Sequence, residues 1–132
     1  MISFPELGVG ENVLKAINEL GFKEPTPIQQ QAIPILLKNE RDFIGLAQTG
    51  TGKTAAFGIP LLELIDASLP ITQALILAPT RELCVQITND LVKYSKFNRS
   101  VNITAVYGGT SITTQIRQIK KGTREVPFLI CW

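Results

Sequence analysis

Asp42-Phe43-Ile44-Gly45-Leu46-Ala47-Gln48-Thr49-Gly50-Thr51-Gly52-Lys53-Thr54 is the stretch that decides how this chain folds. Residues 42–46 form a short apolar run that predicts a buried strand, and Ala55-Ala56-Phe57 beyond the turn is a good helix start. A strand, a glycine-rich turn closing on Gly-Lys-Thr and then a helix is the context in which a phosphate-binding loop works. Gly50 and Gly52 let the backbone turn tightly and approach a ligand that a Cβ would hold off. The N–H groups of residues 50–54 are expected to converge on an anion at the helix N-terminus, where orphan donors and the helix dipole both favour negative charge. Lys53 would add a point charge for the β- and γ-phosphates, and the Thr54 hydroxyl a ligand for Mg²⁺. Ala47 stands where the strict pattern has glycine, a difference of one methyl group. The plain alternative is a Gly/Thr loop between a strand and a helix. Loop and flanks together predict a nucleoside triphosphate site, or descent from a protein that had one.

Working outward, the 132 residues amount to one domain's worth of chain, long enough for a real core. Hydrophobic content of 45% and charged content of 18% suit a soluble α/β domain. No run approaches the length of a membrane span, and the N-terminus lacks the layout of a signal peptide. Cys84 and Cys131 have no metal-ligand spacing and there is no histidine. A disulfide scaffold, a zinc site and histidine catalysis are therefore disfavoured, and a reducing cytoplasm is expected. Net charge is +2 but uneven. Residues 1–66 carry five basic and eight acidic side chains, net −3, and residues 67–132 carry eight basic and three acidic, net +5. The basic half suggests an anionic partner beyond a nucleotide, or simply the solvated faces of helices.

Before the loop, Val13, Leu14, Ile17 and Leu20 recur at helical spacing and Gly21 is placed to stop that helix. Thr26 as N-cap with Pro27 at the first helical position predicts a second helix burying Ile28, Ala32, Ile33 and Leu36, kinked at Pro34. Gln29 falls in its first turn. An amide there offers a donor and an acceptor outward, matching the N6/N7 edge of adenine, unless it is an ordinary surface glutamine. Phe22 by itself reads as a core aromatic or a hydrophobic staple. Beyond the loop, a helix bent at Pro60 carries Phe57, Leu61, Leu62 and Ile65 towards a sheet. Residues 74–78 are continuously apolar, as in a parallel strand covered on both faces. Thr80 should cap a helix through Leu83, Ile87, Leu91 and Val92, and β-branched residues 101–107 predict a strand closed by Gly108-Gly109. Residues 111–121 predict an amphipathic helix with Ile112, Ile116 and Ile119 inward, and residues 126–131 a last strand. Strands alternating with helices over short connections argue for an α/β fold, a parallel sheet with helices on both faces.

Four stretches together resemble one family. Phe22-Lys23-Glu24-Pro25-Thr26-Pro27-Ile28-Gln29 is similar to the Q motif of the DEAD-box RNA helicases, and Phe4 lies 17 residues before Gly21, where that family keeps an isolated aromatic. Ala47–Thr54 matches motif I, Pro79-Thr80-Arg81-Glu82-Leu83 matches motif Ia, and Gly108-Gly109 matches the GG element. Order and spacing agree from about residue 2 to residue 122. The resemblance implies that residues 1–132 are the N-terminal part of a RecA-like, P-loop ATP-binding domain, with the Q motif at 2–30 and the other motifs at 47–109. It implies that Phe22 stacks on adenine and that Gln29 binds its edge, selecting ATP or ADP over guanine nucleotides. Ala47, Gln48, Thr49, Gly50, Thr51, Gly52, Lys53 and Thr54 would hold the phosphates, with Lys53 and Thr54 serving catalysis and Thr54 the Mg²⁺. Pro79, Thr80, Arg81, Gly108 and Gly109 would hold RNA phosphates, a sequence-independent and salt-sensitive grip that suits the basic half.

The family's later elements do not occur in residues 1–132. After Gly122 no Thr-Pro-Gly-Arg follows, and no Asp-Glu-Ala-Asp stands anywhere in the chain. Phosphoryl transfer relies on acidic groups that hold Mg²⁺ and orient water, so no significant ATP hydrolysis or duplex unwinding is expected of this chain alone. In the family's sheet, the strands bearing Asp-Glu-Ala-Asp and Ser-Ala-Thr lie between the strands at 42–47 and 73–78. A truncated sheet with unpaired edges is the expectation, with self-association through those edges and through the apolar stretch 126–132. A non-catalytic module for nucleotide, RNA or partner binding is the alternative role.

Overall fold

Gly21 does what its position predicts. The first helix, α1 (Glu11–Glu19), ends two residues before it, and Gly21 takes φ +83°, a conformation that suits glycine. Its N–H donates to the Asn18 carbonyl at 3.0 Å and the Phe22 N–H to the Ile17 carbonyl at 3.0 Å, the paired bonds of a Schellman ending. The Phe22 backbone is thereby fixed directly behind the helix. In the computed structural model, residues 2–66, 68–69, 71–122 and 126–131 are described; residues 123–125 and Trp132, part of the expected apolar tail, lie outside them. The chain divides into two compact units, Met1–Leu64 with Lys93–Asn98, and Ile65–Val92 with Arg99–Trp132.

The first unit is helical. A 3-10 turn at Pro5–Leu7 precedes α1, and α2 (Pro27–Lys38) and α3 (Lys53–Glu63) follow. Helix α2 packs along α3, and α1 also touches α3. Val13, Ile17, Ala32, Ile33, Ala55, Ala56, Ile59 and Leu62 form the buried interior with Phe4 and Leu7. Each fully buried isoleucine or leucine contributes about 1.5–3 kcal/mol relative to exposure. Of the four positions expected to point inward, Ile65 lies beyond the end of α3 and only Leu62 is fully buried; the covered face is instead built on Ala55, Ala56 and Ile59. Small residues there allow close approach of two helices. Both helices continue through their prolines, Pro34 and Pro60, each of which removes one N–H from the ladder. The Gly10 N–H donates to Glu63 Oε1 at 2.8 Å, joining the entry to α1 with the end of α3.

Residues 42–48 correct an expectation. They form no strand and have no ladder partner among the described residues, and Ile44 and Leu46 are 91% and 92% exposed. An apolar run becomes a buried strand only where neighbouring strands supply hydrogen bonds and cover, and no described strand pairs with this one.

The second unit is a parallel sheet with helical crossovers. Strand β1 (Ala74–Leu77) leads to α4 (Arg81–Tyr94), then β2 (Val101–Val106), α5 (Ile112–Gly122) and β3 (Val126–Cys131). The order is β1-β3-β2, with Leu77 and Val106 both opposite Cys131. The predicted strands at 74–78, 101–107 and 126–131 are thus present, and in parallel. Burial departs from expectation in two places. Leu75 and Leu77 remain 57% and 75% exposed, so β1 is covered on one face rather than both. Ile112 and Ile116 are exposed as well, since helical spacing finds a stripe without finding what covers it. Of the expected α4 positions, Ile87 and Leu91 are buried, Leu83 is half-buried and Val92 is exposed, while Cys84 is buried as well.

Candidate functional site

In the first unit, the N-terminus of α2 and the turn before α3 meet through side chains of one and backbone of the other. Thr26 caps α2, and Gln29 closes the capping box, its Oε1 accepting the Thr26 N–H at 3.0 Å. The other end of the same amide donates from Nε2 to the Gly52 carbonyl at 3.1 Å. Thr26 Oγ1 donates to the neighbouring Thr51 carbonyl at 2.9 Å. Gln29 is 2% exposed, which corrects the outward-facing amide of the sequence reading: its donor and acceptor are aimed at protein backbone.

Two more bonds complete the turn. Thr51 Oγ1 donates to the Gln48 carbonyl at 2.8 Å, and Lys53 Nζ donates to the Ala47 carbonyl. The carbonyls of residues 47, 48, 51 and 52 are all engaged by side-chain donors. Beside those occupied oxygens, the N–H groups of the turn and the exposed Lys53 ammonium are both suited to an anion. Gly52 is required here twice over. Its φ is +85°, and a Cβ would come within 2.4 Å of Gln29 Nε2. Gly50 has φ +78° with open space around it, so only its conformation calls for glycine. Helix α3 starts at Lys53, which sets Lys53 and Thr54 in its first turn.

Phe22 is half-buried and held by two other rings. Phe4 lies 6.2 Å away, tilted by 36°, and Tyr94 lies 5.9 Å away at 67°, edge to face. Each such contact adds about 0.5–1.5 kcal/mol beyond burial and fixes the ring's orientation. The isolated aromatic at position 4 thus has a physical partner in Phe22. Tyr94, 72 residues further on, carries no local signal that sequence reasoning could have used.

In the second unit, Pro79, Thr80, Arg81, Gly108 and Gly109 are all exposed. Thr80 Oγ1 accepts the Leu83 N–H at 3.2 Å, the predicted cap of α4, which leaves its own proton to donate. Arg81 Cζ lies 4.6 Å from the centroid of the Tyr107 ring. Gly109 adopts φ +82°, and a Cβ there would lie 3.7 Å from Arg81 Nη1, so motif and turn are neighbours. Gln115, unmarked in sequence, braces this turn by three hydrogen bonds.

A Gly-Lys-Thr turn at the head of a helix, in a chain with a parallel β-α-β-α-β unit, defines a phosphate-loop α/β protein. Comparison with known proteins gives the family: DEAD/DEAH box helicase matches over residues 26–131. The chain belongs to that family, and its fold is part of a RecA-like domain. It is 49% identical over 126 residues to the ATP-dependent RNA helicase CshA of Listeria monocytogenes, covering 96% of this chain and 24% of that protein. It is 48% identical over 124 residues to the ATP-dependent RNA helicase DeaD of Escherichia coli K12, covering 94% of this chain and 20% of that one. The chain therefore spans about a quarter or less of these relatives. The crystal structure of a DEAD box protein from Methanococcus jannaschii superposes with a TM-score of 0.88 at 37% identity, over 99% of this chain and 34% of that one. The RNA helicase Prp28 from Chaetomium thermophilum, solved with ADP bound, gives 0.84 at 38%, over 99% and 32%.

Proposed function

We propose that this chain supplies the adenine- and phosphate-binding part, and a share of the RNA-backbone grip, of an ATP-dependent RNA helicase. The observation that carries the reading is the double tie from Thr26 and Gln29 to the carbonyls of Thr51 and Gly52, which joins the adenine-reading helix to the phosphate turn. Gln29 keeps a second lone pair on Oε1 and a second proton on Nε2 for an adenine edge. Phe22, steadied by Phe4 and Tyr94, offers the stacking surface. Ala47 to Thr54 would cradle the phosphates of ATP or ADP, with Lys53 exchanging its bond to Ala47 for a phosphate oxygen. Thr54 would hold Mg²⁺, which would supply positive charge against the phosphates. The ADP-bound state of the related Prp28 supports the same nucleotide class here.

Pro79, Thr80, Arg81, Gly108 and Gly109 would take RNA phosphates irrespective of base sequence, a role supported by their exposure and by the Arg81–Gly109 proximity. Unaided hydrolysis is not part of the proposal, because residues 1–132 carry no Asp-Glu-Ala-Asp. Exposed Ile44 and Leu46, on a run with no ladder partner among the described residues, support self-association of the isolated chain, which sedimentation at rising concentration would register. No helix among the described residues is long and apolar enough to cross a membrane, and a cytoplasmic setting is proposed, supported by a sequence with only two cysteines.

The test is a fluorescence titration with labelled ADP and, separately, labelled GDP. Saturable binding that favours ADP, weakens on Lys53→Ala and loses its base preference on Gln29→Ala is the expected result. Absence of binding to either nucleotide would sink the reading.

A further inference from the structure

The Gly108-Gly109 turn is bridged by one side chain. From the start of α5, Gln115 Oε1 accepts the Tyr107 N–H at 2.9 Å. Its Nε2 donates to the Tyr107 carbonyl at 3.0 Å and to Thr110 Oγ1 at 2.8 Å. Both amide protons and one lone pair are used, and the two partners flank the glycine pair on either side. Tyr107 follows directly on Val106, the last residue of β2 in the ladder with β3. Its N–H and carbonyl are met by one amide as a neighbouring strand would meet them, so the side chain extends the ladder by a residue. Glycine has the most backbone freedom to lose on ordering, and a clamp across both flanks removes it before any ligand arrives. The ring of the clamped Tyr107 in turn carries the Arg81 guanidinium.

We propose that Gln115 is a positioning residue for anion binding: its amide presets the Gly108-Gly109 turn and the ring beneath Arg81, so that an RNA phosphate meets a formed site. The proposal rests on the RNA-backbone reading above. Gln115 itself touches no ligand in this arrangement.

Gln115→Met keeps length and neutrality while removing all three bonds. Anisotropy of a labelled oligouridylate, titrated at several salt concentrations, gives both affinity and its salt slope. The variant is expected to bind about tenfold more weakly and to lose about one unit of the slope of log K against log salt, the change also expected of Arg81→Ala, because a phosphate contact is lost although no charge was removed. ADP affinity, measured in parallel, stays unchanged. Weaker binding with an unaltered slope would assign Gln115 a merely structural role and overturn the proposal; so would unaltered affinity. If the unmodified chain binds no RNA, the RNA-backbone reading fails and this inference with it, whereas RNA binding indifferent to Gln115→Met overturns the inference alone. Should Gln115→Met not fold, Thr110→Val decides. It removes only the outer bond and is expected to weaken RNA binding about threefold, and no effect there would overturn the proposal.

Discussion

Gln29 and Gln115 perform the same chemistry on two glycine turns in two units of the molecule, each accepting a backbone N–H and donating to a backbone carbonyl. Their settings differ. Gln115 reaches back only eight residues to the end of a laddered strand and is half-buried. Gln29 is 2% exposed and reaches 23 residues forward, to a turn whose preceding run has no ladder partner among the described residues. A turn behind a paired strand needs only a local brace. The phosphate turn, with no paired strand before it among the described residues, is tied instead to α2 through Thr26 and Gln29.

That contrast breaks most readily at Gly52. Gly52→Ala forces a left-handed conformation on alanine and drives its Cβ into the Gln29 amide, costing about 3 kcal/mol in all. Denaturant melts should register that loss together with the disappearance of ADP binding. Gly50→Ala, with the same sign of φ but open space, should cost only about 1–2 kcal/mol. Equal losses at the two positions would remove the close approach of Gln29 as the cause. Next in size, Gln29→Ala leaves the part-buried Thr26 N–H without its partner and takes one of two hydrogen bonds from the Gly52 carbonyl, about 2 kcal/mol, whereas Gln115→Ala admits water and should cost about 1 kcal/mol or less. A urea-melt comparison giving the reverse order would break the comparison itself. The smallest effect is expected for Ile44→Lys. At an exposed position it should change stability by less than about 0.5 kcal/mol while reducing self-association in sedimentation. A loss of several kcal/mol would mean that residues 42–48 are laddered in solution.

Much of this was legible because it is local. Gly21 ending α1, Thr26 with Pro27 opening α2 and Thr80 capping α4 follow from backbone groups that must find partners within a turn or two. The glycine turn with Lys53 and Thr54 at a helix start was likewise readable. The exposed flank of β1 and the apolar stripe of α5 were misjudged, because periodicity says which residues share a face and nothing about what lies against it. Tyr94 behind Phe22 and the clamp by Gln115 had no signal at all, since neither side chain is marked by type or spacing.

The sequence by itself determined where the helices lie, the three parallel strands, the phosphate turn and the family, all of which rest on short-range rules or on several motifs in fixed order. Tertiary structure alone decided that Gln29 is buried against Gly52, that Phe22 sits between two rings, and that residues 42–48, expected without neighbouring strands, take no strand conformation among the described residues. Those outcomes depend on hydrogen bonds and contacts between residues far apart in the chain, and a β-strand, unlike a helix, cannot satisfy its backbone from within itself.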